Sequence, residues 1–242
     1  MEIYTEEEQV KLNNKTAIPS TALNYGKIFL WFGIGILITG VVGFTLPYLL
    51  GAIFNGNGTK INTAYSIMVI ISAIATLVLM ILIHFNAFRQ RSALVVTCYS
   101  LYSIAFGILM SSALSFAGAE LSAYAFLITG GIMLVVGILG SLLGNRVKSV
   151  YMLIGALVFG SLIISLVNVF LFNETIYWIA SFAIFAAVLL ITAVDFANIK
   201  RIAQSYPNFD TGTAIICAYT LYTDFIYIFL RVLMILAASK KD

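Results

Sequence analysis

Seven stretches of this chain are apolar over roughly the 20 residues that a helix needs to cross the hydrocarbon of a bilayer. They lie at 27–51, 64–88, 92–115, 119–143, 149–172, 175–197 and 211–238. No water reaches the backbone at that depth, so a lone strand would leave its N–H and C=O groups unsatisfied, and each stretch is expected to be a helix. The expected fold is an all-α polytopic membrane protein of seven transmembrane helices. A polar cytosolic tail at 1–26 precedes the seven-helix domain at 27–238, and a short tail at 239–242 follows it. The connections are short, so consecutive helices are expected to be antiparallel neighbours. No internal repeat is visible, which argues against an inverted-repeat transporter.

Composition agrees. The chain is 62% hydrophobic and only 10% charged, with mean hydropathy +1.05. A soluble domain of 242 residues has no use for that much apolar surface. The net charge of +3 is spread thinly, whereas a nucleic-acid surface wants clustered basic residues. Cys98 and Cys217 lie in apolar runs without disulfide or metal spacing and read as buried thiols. The first 22 residues carry Glu6-Glu7-Glu8 and no apolar core, so they are not a signal peptide. No phosphate-binding glycine loop offers a nucleotide to drive a pump.

Basic residues set the expected orientation. Lys11, Lys15, Lys27, Arg89, Arg91, Arg146, Lys148, Lys200 and Arg201 fall on one side of the seven spans. Lys60, Lys240 and Lys241 fall on the other, and Arg231 lies within the last span. The bias places the N-terminus in the cytosol, with the Lys240-Lys241 pair dissenting. Asn57-Gly58-Thr59 and Asn173-Glu174-Thr175 match the glycosylation pattern, but in loops this short chance is the better explanation.

Two carboxylates stand inside the apolar spans. Asp195 lies about ten residues before the turn Ser205-Tyr206-Pro207-Asn208-Phe209-Asp210, and Asp224 about thirteen after it. At 1.5 Å per residue they sit roughly 15 and 20 Å from the turn, at similar depth in an antiparallel hairpin. An ionisable side chain at membrane depth is expensive, and its default reading is functional. Two that face each other are expected to share one proton and titrate as a unit, or to hold a hard cation such as Ca²⁺. The plainer alternative is that each caps or pairs within the bundle, for instance with Arg231 or a tyrosine hydroxyl.

The remaining polar residues carry weaker signals. Arg89 ends the second span beside Gln90 and Arg91, and reads as a head-group anchor or as a latch whose planar fork suits a carboxylate. His84, the single histidine, lies about one turn before it. Arg231 shares a face with Asp224, two helical turns on. Glu120 and Glu174 sit at span ends, where interface solvation explains them. Tyr99, Tyr102, Tyr219, Tyr222 and Tyr227 read as packing residues. Thr220 and Thr223 are expected to bond their own backbone or line a polar path.

Val194-Asp195-Phe196 with Ile199-Lys200, and above all Leu221-Tyr222-Thr223-Asp224-Phe225-Ile226 followed by Phe229-Leu230-Arg231-Val232-Leu233, resemble the last two helices of the Bax inhibitor-1 family, the transmembrane Bax inhibitor motif proteins. That resemblance implies seven helices with helix seven central. It implies a pH-sensitive Ca²⁺ leak channel serving calcium homeostasis, with Asp195 and Asp224 as the proton-sensing, cation-contacting pair. The family's helix-two arginine maps onto Arg89 as a gating residue. It further implies no enzyme activity, no tightly bound cofactor, and the lipid bilayer, Ca²⁺ and protons as partners. Animal and plant members often carry a longer basic tail than Lys240-Lys241-Asp242, so the resemblance leans towards a prokaryotic member in the plasma membrane.

Other classes fit less well. An intramembrane aspartyl protease needs Gly-x-Gly-Asp and Pro-Ala-Leu, whereas the contexts here are Ala193-Val194-Asp195 and Tyr222-Thr223-Asp224. A retinal protein needs a lysine within its last span, which is missing. A non-conducting membrane protein that regulates a partner is the main alternative.

Overall fold

The structure is a computed structural model and describes residues 20–89, 91–206 and 210–239. Residues 1–19 of the expected tail, Gln90, the turn centre Pro207-Asn208-Phe209 and Lys240-Lys241-Asp242 lie outside the described residues. The fold is all-helical: α1 (Ser20–Ile53), α2 (Gly58–Phe88), α3 (Ser92–Ser141), α4 (Val147–Leu171), α5 (Glu174–Ser205) and α6 (Thr211–Ser239), with a 3₁₀ turn at Gly144–Arg146. All six are long and apolar enough to cross a membrane. Residues 20–26, expected in the tail, already belong to α1.

The structure thus has six such helices where seven were expected, and the difference lies in α3. The third and fourth expected spans run as one 50-residue helical element. Straight, it would be about 75 Å long, far beyond a bilayer of about 45 Å. It is not straight: Gly118 has φ 79° and ψ 168°, a conformation open to a residue without Cβ. Tyr102 and Phe126 would be about 36 Å apart along a straight helix. Yet Tyr102 packs on Tyr222 at 6.0 Å and Phe126 on Phe225 at 5.4 Å, three residues along one helix. The two arms of α3 therefore fold back on each other at Gly118.

Side chains at the helix ends fix the other connections. Asn57 caps α2 by accepting from Lys60 N at 3.2 Å. Asn173 caps α5 by accepting from Thr175 N and Ile176 N at 2.9 and 3.2 Å. Both asparagines of the glycosylation-like triplets thus have a structural role in orphan N–H satisfaction. At the opposite ends, Lys200 Nζ donates to Ser141 O at 2.9 Å and Arg201 Nη2 to Gly144 O at 2.6 Å, covering carbonyls that α3 and the 3₁₀ turn leave open. Asn24 Nδ2 reaches Ala203 O at 3.3 Å and Tyr206 O at 2.8 Å, tying α1 to the end of α5.

α6 is the most enclosed helix, with buried residues on every side from Gly212 to Leu233. It packs against α1, α2, α3 and α5, whereas α4 packs on α5 at the edge. Cys98 and Cys217 are buried and free, as expected. Small residues let α1 and α3 approach closely: a Cβ on Gly107 would stand 2.9 Å from Thr39 O, and one on Gly43 2.6 Å from Leu114. Large apolar side chains cover the outside, among them Leu37, Leu134 and Phe159, each about two-thirds exposed or more. A surface of that kind is stable facing lipid tails.

Candidate functional site

α5 and α6 carry the two acids into the middle of the bundle. Asp195 is half-buried between Val194 and Ala197, both fully packed. Asp224 is buried, 7% exposed. Their side chains stand next to each other, close enough to interact. The expected meeting of Asp195 and Asp224 is therefore present. Two ionised carboxylates are acceptors only, so a direct hydrogen bond between them requires one proton.

Thr192 completes the group, and the sequence reading missed it. It is fully buried, and its side chain also reaches Asp224. Its own proton goes elsewhere: Oγ1 donates to Val188 O at 2.9 Å. The lone pairs left over can accept from a carboxyl O–H. Thr192 lies three residues before Asp195, on the same face of α5, and that spacing was the available signal.

The second arm of α3 closes the site from the side. A Cβ on Gly140 would collide with the Ala193 carbonyl, two residues before Asp195, and one on Gly137 would meet the Phe196 ring at 3.1 Å. On the other side of α6 stands a cluster of tyrosines. Tyr222 packs on Tyr99 and Tyr102 at 6.0 Å each, and Tyr219 on Tyr102 at 5.1 Å. Thr39 Oγ1 donates to Ser103 O at 3.0 Å, so the Tyr222 hydroxyl, 2.5 Å away, donates to Thr39. This chain locks α6 to α1 and α3. Tyr227 instead faces outward, 66% exposed.

Arg89 is not brought to the acids. It is exposed at the end of α2, with its guanidinium over the Phe85 ring at 4.2 Å. His84 shares a hydrogen bond with Met80 O at 2.9 Å and stands edge-on to Tyr219 at 5.5 Å. Arg231 points away from Asp224, towards Trp178 and Phe182 of α5, each ring centre 5.7 Å from its guanidinium carbon. Thr220 and Thr223 return their hydroxyls to α6 itself, at Ile216 O and Thr220 O. Glu120 and Glu174 are exposed. Among the described residues no group of three or more His, Cys, Asp or Glu could hold a metal ion.

The sequence pattern of the family described as "Inhibitor of apoptosis-promoting Bax1" matches residues 24–241, which span all six helices and both acids. The chain belongs to this Bax inhibitor family. It is similar to the inner membrane protein YbhL of Escherichia coli K12 and to the protein of the same name from Escherichia coli O6:H1. Each is 25% identical over 215 residues, covering 86% of this chain and 88% of the relative. No solved structure matches. The expected membership is thus shown, with prokaryotic relatives, and the chain is a multi-pass membrane protein of that family.

Proposed function

We propose that this Bax inhibitor family protein is a pH-sensitive calcium leak channel gated by the Asp195–Asp224 pair. The observation that carries the reading is the meeting of these two carboxylates, from different helices, inside an apolar bundle. With one proton between them, α5 and α6 are held together. When that proton leaves, two like charges face each other at low dielectric, and the helices separate unless a cation takes the proton's place. Ca²⁺ prefers hard oxygen ligands and takes six to eight of them. Two carboxylates and the Thr192 hydroxyl supply only some, so water completes the shell. Such a site favours passage over retention, as conduction requires.

In this reading α3 crosses the bilayer twice, with the reversal at Gly118, giving seven crossings with the last helix central. The N-terminus lies in the cytosol, as the basic residues suggest, and the membrane is the plasma membrane. Arg89 acts as the gating cation, leaving its place over Phe85 to meet a carboxylate in the other state. Purified protein in liposomes loaded with a Ca²⁺ dye tests the reading. Flux above that of empty vesicles, changing between pH 6 and pH 8, supports it. No flux at any pH in that range sinks it and favours a non-conducting regulatory protein.

A further inference from the structure

We infer that the inward face of the second arm of α3 lines the route leading from the acid pair towards the Gly118 end of the bundle, and that the described conformation holds this route shut. The inference deepens the proposed function by naming the path. Only the identity of what passes rests on that reading.

The inward face is a helical stripe of buried residues: Ser122, Ala125, Thr129, Met133, Val136 and Gly140. Two of the six carry hydroxyls. In an apolar helix such hydroxyls return to a carbonyl one turn back, as those of Ser141, Ser161 and Thr192 do here. Ser122 and Thr129 do not. Both are at least nine-tenths buried, and their side-chain oxygens are enclosed with no hydrogen-bond partner among the described residues. For Ser122 the cause is visible: the residue one turn back is Gly118, whose backbone is not helical. Thr129 has a regular turn behind it and still makes no such bond.

The facing helix repeats the pattern. Asp224 Oδ2 is likewise enclosed without a hydrogen-bond partner among the described residues. Ser122 and Thr129 are seven residues apart on one face of α3. α3 meets α6 at the Phe126–Phe225 contact of 5.4 Å, with Phe126 between Ser122 and Thr129 in the chain and Phe225 next to Asp224. Both helices that meet at this seam therefore carry an enclosed polar atom without a hydrogen-bond partner among the described residues. Enclosed without a hydrogen-bond partner in the protein, each raises the free energy of this conformation relative to one in which the seam parts and hydrates. A groove of about 790 Å³ opens beside Ser122, lined by Phe225 and Phe229 of α6 and by the outward-facing Leu37, Phe44 and Leu127, so the α3–α6 contact is not packed on that side.

The test uses the full chain in liposomes, with Ser122→Cys, Thr129→Cys and Leu134→Cys made separately. Leu134 lies on the same arm but faces outward, 71% exposed. A water-borne methanethiosulfonate reagent should modify the first two thiols about tenfold faster than the third, the weight of one relieved polar group. They should also outpace the buried Cys98 and Cys217 of the unaltered chain. Thr129→Val, which removes the hydroxyl and keeps the shape, should raise the unfolding temperature and slow modification at Ser122→Cys. Thiols at 122 and 129 as inert as that at 134, or a Thr129→Val protein less stable than the parent, would overturn the inference. Reactive thiols without calcium flux would uphold the route and defeat only the channel reading. Flux with inert thiols would do the reverse.

Discussion

Ser92, the first residue of α3, and Asp210, the residue just before α6, are joined: the Ser92 hydroxyl donates to Asp210 Oδ2 at 2.8 Å. The same carboxylate caps α6, accepting from Gly212 N at 3.0 Å, Thr213 N at 3.2 Å and Thr213 Oγ1 at 2.6 Å. One side chain thereby sets the start of α6 and its position beside α3.

Burial opposes the charge on Asp210, but the bonds from Thr213, Ser92 and the Gly212 backbone outweigh it and hold the carboxyl below its ordinary range. A carboxyl that ionises more readily when folded stabilises the fold above the unfolded value and loses that contribution as pH falls through the folded one. We therefore expect stability to decline below about pH 4, the ordinary aspartate value. Asp210→Ala should cost about 1 kcal/mol at neutral pH and weaken this acid dependence. Thermal unfolding in nanodiscs across pH, for parent and variant, gives the answer. An unchanged acid slope would show that Asp210 is not its source.

The acid pair predicts a failure of additivity. Asp195→Asn or Asp224→Asn alone removes the shared proton, so each should flatten the pH response of calcium flux. The double variant should add little to the stronger single one, because the two titrate as one unit. Effects that sum would show that the acids act separately despite their proximity.

Arg89 is exposed with its guanidinium over the face of Phe85, so Arg89→Ala should change stability by less than about 0.5 kcal/mol. Its effect is expected in flux, where the balance of open and closed states should shift, with Arg89→Lys restoring it poorly for want of the planar fork. Arg91→Ala is the control. Flux from Arg89→Ala that matches the parent at equal protein levels would leave Arg89 as a topology signal.

Two glycines of one arm should respond in opposite ways. A Cβ at Gly140 runs into the Ala193 carbonyl, whereas one at Gly131 meets nothing within 4 Å. Gly140→Ala should destabilise by about 1–3 kcal/mol and disturb the pH response, since Ala193 sits two residues from Asp195. Gly131→Ala should be neutral or stabilise by up to about 1 kcal/mol through helix propensity. Unfolding midpoints for the two, measured side by side, decide it.

The sequence was most legible where the bilayer imposes its own rules. Span length and hydropathy located the helical segments, though they counted seven where the structure has six, and the depth of Asp195 and Asp224 from their common turn located the pair. The expected third and fourth spans were parted at Phe116-Ala117-Gly118, just where the backbone turns. Hydropathy carries no information on backbone angle, so a one-residue reversal inside a continuous helical element was invisible. Partners across helices were equally hidden. Nothing in the spacing of Arg231 distinguished a turn towards Asp224 from one towards Trp178 and Phe182. Nothing marked Ser122 and Thr129 as hydroxyls that fail to find a carbonyl, because most buried serines and threonines do find one. Asn57 and Asn173 were weighed as sugar acceptors and dismissed, when the following N–H groups could have identified them as caps.

The reversal at Gly118 has a mechanical consequence. Most helical hairpins are joined by several residues whose torsions absorb a displacement of one leg before the other feels it. Here a single pair of torsions separates the two legs, so there is no slack. Tilting the leg that bears Ser122 and Thr129 must pull directly on the leg that bears Tyr99 and Tyr102, and through them on the Tyr222 anchor. The bundle is geared at that point, and loosening it by inserting even a few flexible residues would leave both legs intact while disconnecting one from the other.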